Sequence, residues 1–517
     1  MAFFTLTYYN KYITFKEHPK MTYTGNGIRP RIGVYSTGLK TYWSQFEGLK
    51  ERLTAYGEFI GEKISDKAEV FNYGLVDTQE AARDCGEWMN SHNVDLIFCH
   101  VATYATSDSM LPIHQICKAP VVILNLQPTA RIAYDKADTG EWLAHCSACA
   151  APEFTNALNR AGIPYRLISG LLGLDHTPAG SLADEDTHDR PEAKRAWKEI
   201  FEWVQAAGAV RTLRSSRFGF LGNTYSGMLD MYSDFTMIQA QAGVHIDVLE
   251  MCDLNQALNL VTKEEESNKL REIEDLFLIL DDSPTDPRVK KPTPEQLAWA
   301  ARVAAALDKM AAGKNLNALT YYYHSQDGNA YEDLQGGMIA GLSLLTAKNI
   351  PCAGEGDLKT CLAMKICDIL GLGGSFSEIV ITDYEDGTIL IGHDGPFHIK
   401  IADSKPVLRG MGIYHGKKGS GISVEAKVKT GCVTTLNVTQ TVNGKLKLIV
   451  SEAEATGGTI MTIGNTQTPV KFKYDPDTYM EKWFAEAPTH HCALSMGHNA
   501  SLFKKVGELL GIETVIL

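Results

Sequence analysis

The chain has 517 residues, 44% hydrophobic and 21% charged, the balance of a folded globular protein too long for one core and suited to two or three domains. Its formal charge is −13, from 49 Lys and Arg against 62 Asp and Glu; with no basic block, nucleic acid and anionic membrane are poor partners. No apolar run approaches the roughly 18 residues of a membrane span, and 11 scattered cysteines suit a reducing cytoplasm better than a disulfide framework.

The opening "MAFFTLTYYNKYITFKEHPK" is aromatic but broken by Asn10, Lys11 and Lys16 and lacks a cleavage-site pattern. It does not read as a signal peptide. Residues 1–30 read as a tail, with Met21 as an alternative start. From 31 to 175 short apolar runs alternate with helical stretches: "RIGVYSTG", a helix-like "YWSQFEGLKERLTAYGEFIGEKI", "VDLIFCHVA", then "APVVILNLQ". That rhythm predicts a parallel sheet with helices on both faces. Cys146 and Cys149 form a lone C-x-x-C; a zinc ribbon would need a second pair.

The polar tract "LDHTPAGSLADEDTHDRPEAKRAW" reads as a crossing between domains. A second α/β domain follows over 205–351, opening with "RSSRFGFLGN" and running through "DMYSDFTMIQAQAG", "VHIDVLEM" and "NALTYYYH". Neither half has G-x-G-x-x-G after its first strand or a G-x-x-x-x-G-K-[ST] loop, which removes the main support for a nucleotide site. Over 352–517 the texture turns to antiparallel strands, with "EIVITDYEDGTILIGHDG" and a hairpin pivoting on Asn443-Gly444. A helix-like "SLFKKVGELLG" and a strand "IETVIL" finish the chain. The predicted fold is α/β: two doubly wound parallel-sheet domains, then a C-terminal antiparallel β-barrel-like domain.

Acids and imidazoles concentrate in three places. "NAYEDLQGG" carries Glu332 and Asp333. "PCAGEGDLKT" carries Glu355 between Gly354 and Gly356, with Asp357 beyond. "APTHHCALSMGHN" carries His490, His491 and His498, and Asp383 and His393 lie between the last two. Singly, each has an ordinary reading: a helix cap, a solvated loop acid, a turn former or a surface imidazole. Together, two glutamates and a late histidine offer a divalent ion hard oxygens and one imidazole, a mixture suiting Mn²⁺ or a similar metal. Two carboxylates beside one metal also match proton transfer between adjacent carbons, as aldose–ketose isomerisation requires.

These segments resemble the L-arabinose isomerase and L-fucose isomerase superfamily. "CAGEGDLKTCLA" corresponds to "FAGEGDWKTAAL" of arabinose isomerases, and "YEDLQGG" to "FEDLHGL"; "SRFGFLGN" resembles the element opening their second α/β domain. The resemblance implies that Glu332 and Glu355 are the paired acids, serving both as metal ligands and as the acid/base pair, and that His491 is a metal ligand. The family's other metal histidine falls on Asp383 here, which takes its place as a metal ligand, with His393 one strand further on as the alternative. The N-terminal "GSQ…YG" segment reads "YSTGLKTYW", and the histidine supplied by a neighbouring subunit has His145 as its nearest counterpart. The resemblance further implies a cytoplasmic homo-oligomer, trimeric or hexameric, acting through an enediol(ate) on a pentose, a 6-deoxyhexose or a 6-substituted hexose. The rival readings are a non-catalytic sugar-binding or sensor protein of two α/β lobes and a nicotinamide-dependent sugar dehydrogenase.

Overall fold

The computed structural model describes residues 27–175, 186–324, 328–411, 413–414, 417–418 and 421–517. The tail expected at 1–30 lies outside the described residues up to position 26, Met21 included, as does 176–185 of the polar tract. The chain divides into two compact units, Ile28–Arg211 and a unit comprising Thr212–Leu517.

In the first unit five parallel strands are ordered Glu69–Val76, Arg31–Thr37, Leu96–His100, Val121–Gln127, Tyr165–Leu171. Leu96–His100 is buried along its whole length, as a strand covered on both faces must be. The helix Leu49–Ile64 buries Leu49, Leu53, Tyr56, Ile60 and Ile64, a stripe at steps of three and four that lays one face on the sheet. The outermost strands, Glu69–Val76 and Tyr165–Leu171, are largely half-buried or exposed. They lack the continuous apolar run that marks the three inner strands in the sequence.

The second unit opens with a four-stranded parallel sheet in the order Cys352–Ala353, Ala318–Tyr322, Arg217–Gly222, His245–Leu249. Chain order reverses direction between Ala318–Tyr322 and Arg217–Gly222. The loops leaving the carboxyl ends of these two strands therefore splay apart there, opening the crevice where open α/β sheets bind ligands.

The remainder is a β-barrel. Strand Gly431–Gln440 pairs with both Leu446–Ala455 and His491–Met496. Gly373–Asp383, Thr388–His393 and Thr466–Phe472 complete the ring, which closes with six antiparallel strands. The last strand, Glu513–Ile516, adds to Leu446–Ala455 in parallel. The fold class expected from the sequence is thus the observed one. Ile389, Ile391, Val433, Ile449, Val470, Cys492 and Leu494 belong to one buried apolar cluster. His491 and Ala493 alternate with Cys492 and Leu494 and so face the other side of the barrel wall.

Between barrel and sheet lies the helix Leu358–Ile369, all 12 of whose residues are buried. It packs against barrel strands Gly373–Asp383, Gly431–Gln440 and His491–Met496 on one side and against Ala318–Tyr322 and Cys352–Ala353 on the other.

Candidate active site

The loop leaving strand Cys352–Ala353 holds Glu355 in a left-handed conformation, φ +59°, an uncommon state for a residue with a side chain. Its flanking glycines have separate steric reasons. A Cβ on Gly356, itself at φ +71°, would lie 2.2 Å from the Asn223 carbonyl oxygen, and one on Gly354 would lie 2.8 Å from the Phe376 ring. The loop is therefore pressed between the segment after Arg217–Gly222 and the barrel wall. Backbone bonds fix it there: Gly356 N–H donates to Tyr321 O at 2.8 Å, and Tyr225 N–H donates to Glu355 O at 3.0 Å.

The Glu355 carboxylate points at two imidazoles of the barrel. Its Oε2 is 3.6 Å from His491 Nε2, and its Oε1 is 4.0 Å from His393 Nε2. The two Nε2 atoms lie 3.2 Å apart. Glu355 Oε2 is buried without a hydrogen-bond partner, a costly state for a carboxylate oxygen. Burial raises the Glu355 pKa, with Asp394 and Glu378 adding to the rise and His393 and His490 opposing it. Phe376 closes the back, its ring centroid 4.5 Å from that of His393 and 4.4 Å from that of His491.

Behind His491 sits Asp357, fully buried. His491 Nδ1–H donates to Asp357 Oδ2 at 2.9 Å. The same carboxylate accepts from Thr360 N–H at 3.0 Å and Thr360 Oγ1 at 2.7 Å, capping helix Leu358–Ile369. A proton held at Nδ1 leaves the Nε2 lone pair facing the cluster, the arrangement by which outer carboxylates orient metal-binding histidines. Burial pushes His491 down to about 4 against the pull of Asp357.

His393 is held differently. Burial disfavours its charged form, but Asp394, Glu355 and Glu378 outweigh it and raise the ring to about 9. Gly395 N–H donates to His393 Nδ1 at 2.9 Å, and Asp394 Oδ1 lies 2.9 Å from the same nitrogen. Amide and carboxylate compete for one atom. The amide asks for a lone pair on Nδ1 and Asp394 for a proton there; the charged ring that the carboxylates favour bonds Asp394, with its Nε2–H directed at His491 Nε2.

Donor atoms within 4.8 Å of one another form the overlapping groups Glu355–His490–His491, Glu378–His393–His491 and Glu355–His393–Asp394. Glu378 was not singled out in the sequence; it faces His491 directly in the strand register, so an acid inside a strand-like run was its signal. Asp394 directly follows His393. His490 turns toward the loop after Arg217–Gly222, where its N–H and Nδ1 both bond Asp230 Oδ2, at 2.9 and 2.6 Å.

The other candidates are placed as follows. Glu332 lies in the first turn of helix Ala330–Gly336, after strand Ala318–Tyr322, its Oε1 3.9 Å from His324 Nδ1. It is not in the converging groups, but it and Glu355 both act on the Tyr322 hydroxyl, whose pKa rises through burial, Tyr225 and these two carboxylates. Asp383 is not brought to the cluster: it is exposed at a hairpin, its Oδ1 accepting the N–H groups of Glu385 and Asp386 at 3.0 Å each. Its position at the strand end explains the difference, because a turn former there satisfies backbone donors. His393 stands in the cluster in its place. His498 belongs to none of these three groups. His145, in the first unit, is buried with Nδ1 2.8 Å from Glu141 O and Nε2 2.8 Å from Thr129 Oγ1.

A parallel sheet whose loop carboxylate, Glu355, faces two imidazoles on a barrel wall defines an α/β–barrel protein with a candidate metal centre. No protein-family model matches the chain. It is similar to the L-arabinose isomerase of Tolumonas auensis, 23% identical over 340 residues covering 63% of this chain and 65% of that protein. The L-arabinose isomerase of Bacillus subtilis is 22% identical over 365 residues, 68% of this chain and 69% of the relative. L-arabinose isomerase 2 of Bacillus licheniformis is 22% identical over 340 residues, 64% and 68%. The chain spans just under two thirds of the length of the Tolumonas relative. At these identities the likeness is to L-arabinose isomerases as a group.

Proposed function

We propose that the chain is a metal-dependent aldose–ketose isomerase acting on a pentose, a 6-deoxyhexose or a 6-substituted hexose through an enediol(ate). The observation that carries this is the convergence of His393 Nε2, His491 Nε2 and a buried, unpartnered Glu355 Oε2. The carboxylate oxygen is costly without a partner, and a divalent ion taking the place of the proton between the two imidazoles would bond all three atoms. Glu355, His393 and His491 would hold the ion, with Glu332 as the second acid from the loop after Ala318–Tyr322. Mn²⁺ or a similar divalent ion suits this mixture of oxygen and imidazole donors.

When bound, the ion would polarise the sugar carbonyl and the neighbouring hydroxyl, lowering the cost of the enediolate. The chain's own groups supply the rest. Glu355 and Glu332 take the proton from one carbon and return it to its neighbour. Phe376 and Tyr322 wall the reacting carbons from water, and Asp357 keeps the His491 lone pair aimed inward.

The same reading carries the domain division 31–175, 205–351 and 352–517, a cytoplasmic location and a trimeric or hexameric assembly. All 11 cysteines are unpaired, which supports a reducing compartment. Among the described residues no helix is long and apolar enough to cross a membrane. Incubating the protein with Mn²⁺ and a panel of aldoses, with no nucleotide added, tests the activity. Ketose formation separates the isomerase from a sugar-binding protein and from a dehydrogenase; none from any aldose, with Mn²⁺ bound, would refute the reading.

A further inference from the structure

We propose that Cys432, Glu454 and His498 form a second metal site, on the rim of the barrel, for a borderline divalent ion such as Zn²⁺. Cys432 and Glu454 are directly paired across strands Gly431–Gln440 and Leu446–Ala455, so their side chains leave the same face at neighbouring positions. Cys432 Sγ lies 3.2 Å from Glu454 Oε1, and His498 Nε2 lies 3.3 Å from the same oxygen. All donor atoms are within 4.8 Å of one another and exposed.

These separations are close to the edges of a coordination tetrahedron. With Zn–S about 2.3 Å, Zn–N and Zn–O about 2.0–2.2 Å and tetrahedral angles, O and N sit about 3.4 Å apart and S and O about 3.6 Å apart. Thiol and imidazole both approach the same carboxylate oxygen, so the three donors converge on one point. The imidazole is brought there by a fixed turn: Gly497, at φ +89°, donates its N–H to Cys432 O at 2.7 Å. Thr434 Oγ1 donates to Gly497 O at 2.7 Å and accepts from Asn499 N–H at 3.1 Å.

Thiolate, imidazole and carboxylate are the donor set of zinc rather than of a hard-oxygen ion, and three protein ligands leave a fourth position for water. Binding forms an S–metal bond as the Cys432 proton leaves to solvent. It also requires the His498 proton, now directed from Nε2 to Ala453 O at 3.2 Å, to reside on Nδ1. The site lies beyond the far end of strand His491–Met496 from the active-site cluster, about 17 Å or more along the strand at roughly 3.4 Å per residue. Its ion would tie two barrel strands to the turn that leads into helix Ala500–Leu510.

The test uses the full chain, stripped by chelation, in a Cys146→Ser/Cys149→Ser background that removes the competing dithiol. Co²⁺ loading should give a thiolate-to-metal charge-transfer band with tetrahedral d–d absorption, and Zn²⁺ titration against a chromophoric chelator should report one thiolate-dependent equivalent. Cys432→Ser, an exposed and near-isosteric change, should abolish the band and that equivalent. His498→Ala should keep the fold and lose at least tenfold in affinity. No thiolate band in the parent, a band that survives Cys432→Ser, or affinity indifferent to His498→Ala would each overturn the assignment.

Discussion

Asp357→Asn isolates what the carboxylate behind His491 does. Asp357 has two duties that an amide cannot perform together. It caps helix Leu358–Ile369 through Thr360 N–H at 3.0 Å and holds His491 Nδ1–H at 2.9 Å. If the Asn oxygen keeps the cap, as Asn does about as well as Asp, its NH₂ group faces His491 Nδ1. Donating there drives the ring proton to Nε2 and removes the lone pair that faces Glu355. If the amide turns over instead, His491 keeps its tautomer and Thr360 N–H loses its acceptor.

The first outcome weakens metal binding by about 10–100-fold, the usual cost of losing such an outer partner, or about 1.4–2.7 kcal/mol. The second leaves affinity nearly intact and costs about 1 kcal/mol of stability. A buried cap at the start of a wholly buried helix is the harder loss, so we expect the first. Mn²⁺ affinity is read by paramagnetic resonance of the free ion, and stability by thermal unfolding of the metal-free protein. Activity of Asp357→Asn should recover at high Mn²⁺, since the fault is affinity. Wild-type Mn²⁺ affinity in Asp357→Asn with unchanged unfolding would refute the coupling of cap and ligand.

Further outcomes follow from the same geometry. Glu355→Gln should lower turnover by about 10²–10⁴-fold with little change in unfolding temperature, and combining it with Glu332→Gln should cost far less than the product of the two; near wild-type interconversion by Glu355→Gln would remove it from the mechanism. Gly356→Ala should destabilise by more than about 1 kcal/mol, because its Cβ meets the Asn223 carbonyl at 2.2 Å; an unchanged melting temperature would mean that the loop is not pressed there. His393→Ala should weaken Mn²⁺ binding, whereas Asp383→Ala should leave it alone; isothermal titration giving the reverse order would return Asp383 to the ligand set.

Much of this fold was legible because its signals are local. Leu96–His100 and Val121–Gln127 are apolar runs, and Asn443-Gly444 marks its hairpin. Glu69–Val76 and Tyr165–Leu171 were missed because edge strands need bury little. The site divides along the same line. Glu355 carried a local signal in its flanking glycines, and His491 in its doublet. Asp383 and His393 could not be told apart, since the choice rests on which end of a strand reaches the crevice. Glu378 was passed over for a related reason: an acid inside a strand-like run gains meaning only once its cross-strand partner is known to be His491.

The position of Glu355 shows why the site needs both the sheet and the barrel. A carboxylate at the carboxyl end of a parallel strand is an ordinary device for reaching a ligand, but alone it offers neither an imidazole nor a dry wall. The barrel supplies both, and helix Leu358–Ile369 sets their separation, since its first residue follows Asp357 and its sides bury against sheet and barrel alike. Asp357 then joins the two functions in one side chain, starting the helix and orienting the imidazole across from it. Any shift of barrel against sheet would move His491 relative to Glu355 and break the Asp357 bond at the same time. The tight glycine contacts on both flanks of Glu355 therefore do more than admit a loop: they fix the one carboxylate that has to reach across that seam.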